Sequence, residues 1–515
     1  MLFSTLRRSR ALPIVVVGLA VQFATAPAFA CHVAARLHYE KASPEDREKR
    51  ATELAERWIN ADGMNMDMTK IRYALKAVEP CSGGMADIFP CDNVDLLAHL
   101  PLADIGGGSG NDMWGWKDEA SGREFALIGR SNGTSFIEVT DPETPVYLGN
   151  LATRSSSSAW RDIKVYEDHA FIVADFAGNH GMQVFDLSQL LTATPATTFS
   201  ETAHYNGFAR SHNIVINEET GFAYAVGSEQ CSGGLHMIDV TTPTSPTFVG
   251  CYSGDAYTHD AQCVNYKGPD PDHQGKELCF ASNEDTLTIV DVTDKSNPTL
   301  VSRTSYTGAS YTHQGWLTED HRRFVLDDEF DEINFGHNTR TYVWDLENLD
   351  APSVDITYDS QFPSIDHNLY VRGRYVYQAN YSIGLRVLEM DDAGMLTEVA
   401  SFDTHPESNS SSGGAWSVYP FFDSGLVAIS DINRGLFLLR PNLPASPIFE
   451  DGFEGGNSDA WTNTEEGSSP GPSPATAPAK PEAPAKAAPA EAPATEVSAP
   501  ATESAATEAI GPTQR

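Results

Sequence analysis

Apolar and polar positions along the chain fall into short β-like runs separated by turn residues, and the pattern recurs. Three stretches show it best: residues 135–149 (SFIEVTDPETPVYLG), 235–250 (LHMIDVTTPTSPTFVG) and 287–301 (LTIVDVTDKSNPTLV). Each is a β-rich run, a turn of Asp, Thr, Ser and Pro, and a second β-rich run, which predicts a hairpin. A further strand pair precedes the hairpin, as in residues 212–216 with 221–226, or 259–264 with 277–281. The four-strand unit can be followed seven times, entering near Met113, Arg161, His212, His259, His313, His367 and Ala415. Four antiparallel strands in units of about 50 residues predict an all-β fold, a seven-bladed β-propeller. The seventh unit ends after its third strand, before the Pro-rich stretch that follows residue 440, while residues 94–102 (VDLLAHLPL) look like a fourth strand without a unit. Pairing the two closes the ring and removes the sheet edges. An open β-sandwich array leaves that strand unexplained.

The two ends read differently. Arg7, Arg8 and Arg10 precede an apolar core and the small-residue pattern Ala28, Phe29, Ala30, so residues 1–30 read as a secretory signal peptide of the Sec type. Residues 31–90 form an N-terminal extension, in which Ser43, Pro44, Glu45 and Asp46 mark the start of a short helix. Residues 465–515 are nearly all Pro, Ala, Glu, Ser, Thr and Lys, too poor in apolar side chains to fold, and read as a disordered tail.

Charge narrows the choice of partners. Among 515 residues, 71 Asp and Glu stand against 34 Lys and Arg, a net charge of −37 that repels a nucleic-acid backbone. Beyond the leader no apolar run approaches the roughly 20 residues of a membrane span. The reading is an exported monomer, periplasmic, at the cell surface or secreted, whose partner is an extracellular protein or a glycan. There are seven cysteines. Cys31 directly follows the leader, where a lipid-modified cysteine would stand, although Ala28 and Phe29 match a lipoprotein signal poorly. Proximity then pairs Cys81 with Cys91, Cys231 with Cys251 and Cys263 with Cys279, a connectivity that sequence alone leaves open.

The hairpin runs, above all LTIVDVTDKSNPTLV, resemble LVIVD-type repeats, and residues 91–440 resemble the propeller of the bacterial choice-of-anchor B proteins. The resemblance implies an exported propeller and no defined reaction. Residues 449–461 (FEDGFEGGNSDAW), within a segment spanning 441–464, resemble a short C-terminal motif of exported proteobacterial proteins. The chain departs from several anchored members in having no C-terminal apolar helix with a basic end.

In such a blade the start of strand one and the exit of strand two lie at the same end of the central channel. Four consecutive units carry histidine at the first position, His212, His259, His313 and His367, followed by Asn213, Asp260, Gln314 and Asn368. The strand-two exits supply Asp175, Glu229, Glu284 with Asp285, and Asp327, Asp328 and Glu329. Imidazole with carboxylate suits a divalent metal, calcium or a transition ion, or an acid/base pair. The same repetition also suits hydrogen bonds that tie each blade to its neighbour. The acidic run 327–332 reads as a solvated turn, and Trp114, Trp116, Trp160, Trp316 and Trp416 as core packing with some capacity to stack on sugars. Residues 106–110 (GGGSG) lack the lysine of a phosphate loop and read as a flexible entry to the first unit. No HExxH or GxGxxG pattern is present. The expected function is a ligand- or protein-binding scaffold. The alternative is a metal-dependent enzyme, a hydrolase for example, with its ion held by some of the four histidines and Asp260, Glu229, Glu284 or Asp328.

Overall fold

The computed structural model describes residues 78–409 and 413–444. The leader, Cys31, the helix expected after Ser43, the 449–461 motif and the Pro/Ala-rich tail lie outside the described residues. What is described is a ring of seven sheets, each built on four antiparallel strands.

The inner strands are Gly110–Asp118, Arg161–Tyr166, Asn213–Asn217, Asp260–Asn265, Thr312–Leu317, Asn368–Arg372 and Ala415–Tyr419, and they number blades 1 to 7. Each packs beside the inner strand of the next blade, and that of blade 7 packs beside that of blade 1. Val94–Leu100 pairs with Gly435–Pro441 as the fourth strand of blade 7, so the ring closes with the start of the domain against its end. The expected seven units and their circular closure are both present.

The middle strands carry the core because each blade is covered on both faces by its neighbours. Every residue of Glu277–Ser282 is buried, as is every residue of Tyr375–Ala379, which is why these strands read as near-continuous apolar runs. The outermost strand has an open edge, and Ser353–Asp359 accordingly alternates exposed with half-buried. In six blades the ladder between strands three and four slips at one bulge, for example between Ile289 and Val290, which adds twist at the rim.

The aspartate that ends the third strand does local work. Asp239 accepts a hydrogen bond from Thr241 N at 2.9 Å and Asp291 from Thr293 N at 3.0 Å. In blades 2 and 5, Asp186 and Asp345 do the same for Ser188 and Glu347. The carboxylate thereby starts the turn that the following Thr, Ser and Pro residues complete.

Two blades are extended. Thr197–Phe199 joins blade 1 in parallel beside Val146–Ala152, and Phe89–Asp92 adds to the outer edge of blade 6. The disulfides are Cys81–Cys91, Cys231–Cys251 and Cys263–Cys279, the pairing expected from proximity.

Candidate functional site

The four repeat histidines line one mouth of the channel as a continuous arc. Ring centroids of His212 and His259 are 4.4 Å apart, those of His259 and His313 4.2 Å, and those of His313 and His367 4.4 Å. Each Nδ1 has a defined partner: Asp175 Oδ2 for His212 at 3.1 Å, the His313 carbonyl for His259 at 2.9 Å, Asp327 Oδ1 for His313 at 3.0 Å, and the Trp416 carbonyl for His367 at 2.6 Å. A carbonyl only accepts, so His259 and His367 carry their proton on Nδ1 and present a lone pair at Nε2. Burial holds His259 and His313 well below the usual histidine range, reinforced by neighbouring imidazoles, and lowers His367 to about 3.

The residues after the histidines stitch the blades together. Asn213 Nδ2 donates to the His259 carbonyl at 3.0 Å, and Gln314 Oε1 accepts from Leu369 N at 2.9 Å. Asp162, at the same position in blade 2, accepts from Ile214 N at 2.8 Å.

The carboxylates divide. His313, Glu329 and His367 bring one donor atom each to within 4.8 Å of one another, and all three are buried. Asp328 turns elsewhere, accepting from Tyr306 Oη at 2.6 Å, Ser310 N at 2.8 Å and Tyr311 N at 2.6 Å, and so pins the loop that enters blade 5. Glu229 is exposed and accepts from the backbone of Ala209 and Arg210. Glu284 is half-buried and bridges to Thr312 through its backbone.

The acidic run is not a solvated turn. Asp327, Asp328, Glu329, Asp331 and Glu332 are all buried, because strand two of blade 5 runs into a short helix, Asp331–Phe335, at the channel mouth. Tyrosine hydroxyls from other parts of the ring cover the carboxylates: Tyr381 donates to Glu329 Oε1 and Tyr342 to Asp331 Oδ2, both at 2.7 Å. Burial pushes Asp327 and Asp366 well above the usual carboxylate range. Charge density marks such a run as exposed in a sequence, and the contacts that bury it come from residues up to 52 positions away.

Asp260 belongs to a second constellation, deeper in the channel. A cavity of about 180 Å³ is lined by Trp114, Lys164, Asp260, Gln262, Trp316 and Tyr370. Lys164 Nζ donates to Asp162 Oδ1 at 2.7 Å and sits 4.7 Å from the Trp114 ring centroid. Burial raises Asp260 to about 8 against the pull of Lys164, and raises Asp112 to about 7 with help from Asp162. Burial alone would lower Lys164, but Asp162, Asp112 and Asp260 outweigh it and raise it. Trp114, Trp316 and Tyr370 pack edge to face, Trp316 with Tyr370 at 4.9 Å. Lys164 and Asp112 stand outside the expected site, and their only mark in the sequence is a charged residue within an apolar inner strand.

Residues 221–253 and 274–305 match the family described as the LVIVD repeat, and they fall in blades 3 and 4. No curated protein matches the chain. Among solved structures, a structural-genomics protein from Lactobacillus plantarum aligns over 63% of this chain and 90% of its own, at 12% identity and a TM-score of 0.43. A functionally unknown protein from Desulfotomaculum acetoxidans aligns over 59% and 88%, at 12% identity and a TM-score of 0.39. Hydrazine synthase from Kuenenia stuttgartiensis aligns over 62% and 93%, at 12% identity and a TM-score of 0.43.

Proposed function

We propose that this chain is an exported binding propeller of the choice-of-anchor B kind, which takes a small ligand bearing a positive charge into its central channel. The observation that carries the reading is the cavity lined by Trp114, Lys164, Asp260, Gln262, Trp316 and Tyr370. Three aspartates, Asp112, Asp162 and Asp260, gather there around one lysine, so a cationic group that displaces the protons held by Asp260 and Asp112 gains charge balance, and aromatic faces add cation–π attraction. Export is supported by the basic, apolar and small-residue order of the first thirty residues and by three disulfides. The metal-enzyme alternative has less support, because His313, Glu329 and His367 are buried and a substrate would have to reach them.

Calorimetric titration of the full chain with choline, putrescine and glucose tests the reading. An amine that binds at one site, at least tenfold weaker in Asp260→Asn and in Trp316→Ala, supports it. Glucose binding as tightly as either amine, or no binding by any of the three, overturns it.

A further inference from the structure

The mouth lined by the histidines carries a separate chemistry. His313 and Glu329 come from blade 5 and His367 from the entry to blade 6, yet their donor atoms lie within 4.8 Å of one another. His313 is 1% exposed, Glu329 0% and His367 2%, so the three meet inside the protein.

Hydrogen bonding separates this set from an ordinary buried network. His367 must donate from Nδ1 to the Trp416 carbonyl, which leaves Nε2 as a lone pair. His313 spends Nδ1 on Asp327, while its Nε2 has no hydrogen bond and lies 3.9 Å from Glu329 Oε2. A buried polar atom left without a partner costs about 1–3 kcal/mol, a cost that a ligand at that atom offsets. Glu329 is itself oriented by the Tyr381 hydroxyl on Oε1. Imidazoles held through Nδ1 by a carboxylate and a carbonyl, with Nε2 turned to a common point, have the outer-partner arrangement of metal ligands.

The surrounding charge has the same sense. Asp366, which precedes His367, is fully buried and has no hydrogen bond on either carboxyl oxygen, and Asp327 Oδ2 also lacks one. A bound cation balances carboxylates that hydrogen bonds leave unsatisfied.

We propose that His313, Glu329 and His367 bind one divalent transition-metal ion, which staples blade 5 to blade 6. Two imidazoles and one carboxylate suit zinc, cobalt or ferrous iron, whereas calcium takes oxygen ligands alone. The other two repeat histidines stay outside the set: they are held through Nδ1 in the same way, His212 by Asp175 and His259 by the His313 carbonyl, but the donor atoms that lie within 4.8 Å of one another are those of His313, Glu329 and His367. The site is independent of the channel cavity, so either proposal can fail without the other.

The test is cobalt titration of the chelator-treated full chain, read by visible absorption and by elemental analysis after desalting. One cobalt per chain, displaced by zinc, is expected. Glu329→Gln and His367→Ala should each weaken binding at least tenfold, and Asp327→Asn about 10–100-fold through the orientation of His313. His212→Ala, at the same repeat position but outside the set, should retain the ion. Circular dichroism identifies any variant that fails to fold, and Glu329→Gln, which keeps the side-chain shape, then decides. Wild type taking up no stoichiometric cobalt, or folded Glu329→Gln and His367→Ala binding as tightly as wild type, overturns the proposal. So does equal loss in folded His212→Ala, which would make the effect one of the whole arc.

Discussion

At the scale of single residues the channel is unusual for carrying ionisable groups inside a β core, and Asp260 shows what that does to stability. Its carboxyl titrates at about 8 in the folded chain against 3.8 when unperturbed, mainly because it is buried. The folded state therefore holds a proton that the unfolded state has already released. The stability this lends is fully present below the unfolded value and is lost as pH rises through about 8. Between pH 7.5 and 9 the lowered histidines are neutral in both states, so the raised carboxyls dominate that window. Asp260→Asn removes one of them. The wild type should lose urea resistance from pH 7.5 to 9, and the variant should lose less, which midpoints at the two pH values will show. Parallel losses would mean that Lys164 keeps Asp260 ionised throughout.

At the scale of strands and turns, the repeat is a set of local solutions used again and again, and its glycine is one of them. Gly250 ends the run PTFVG in the fourth strand of blade 3, and a Cβ there would come 1.7 Å from the Lys295 carbonyl in the hairpin turn of blade 4. The contact is with backbone, so no side chain can swing away to relieve it. Gly250→Ala should therefore cost on the order of 1–3 kcal/mol by forcing blades 3 and 4 apart, read as a lower urea midpoint with an unchanged slope. A neutral result would show that the turn of blade 4 moves freely. Much at this scale was legible in the sequence. The hairpins, the aspartate that starts each turn and the orphan strand at residues 94–100 all leave marks in apolar spacing and turn chemistry. Thr197–Phe199 and Phe89–Asp92 left none, because three or four residues are too few for a period and their partners belong to distant blades. The candidate site was half legible for a related reason. His313 and His367 stood out by repeat position, whereas Glu329 sat in a run whose burial depends on Tyr381 and on the neighbouring blade.

At the scale of the whole molecule, closure makes every blade depend on two others, and the disulfides bear on that dependence. Cys263–Cys279 joins directly opposed residues of the inner two strands of blade 4, and Cys231–Cys251 ties the exit of strand two to strand four in blade 3. Cys81–Cys91 holds the segment that extends blade 6, immediately before the strand that closes the ring. These bridges close loops of sequence separation 20, 16 and 10, and restricting the unfolded chain over about 15 residues is worth roughly 3 kcal/mol per bridge. Blades 3 and 4 also hold His212 and His259, so the bridged arc lies directly beside the proposed metal staple between blades 5 and 6. A ring opens as a unit once one blade separates, so loss of the bridges should lower the midpoint of a single transition instead of creating a second one. Chain exported to an oxidising compartment should show none of these six cysteines as free thiols, and full reduction should lower its melting temperature by several degrees in one step. Melting followed by calorimetry, with thiols counted before and after, checks both statements. A second, lower transition would mean that the bridged blades unfold by themselves and that closure does not couple the ring. An unchanged melting temperature with six free thiols would mean that packing alone carries the fold and that the cysteines must be explained by something other than stability.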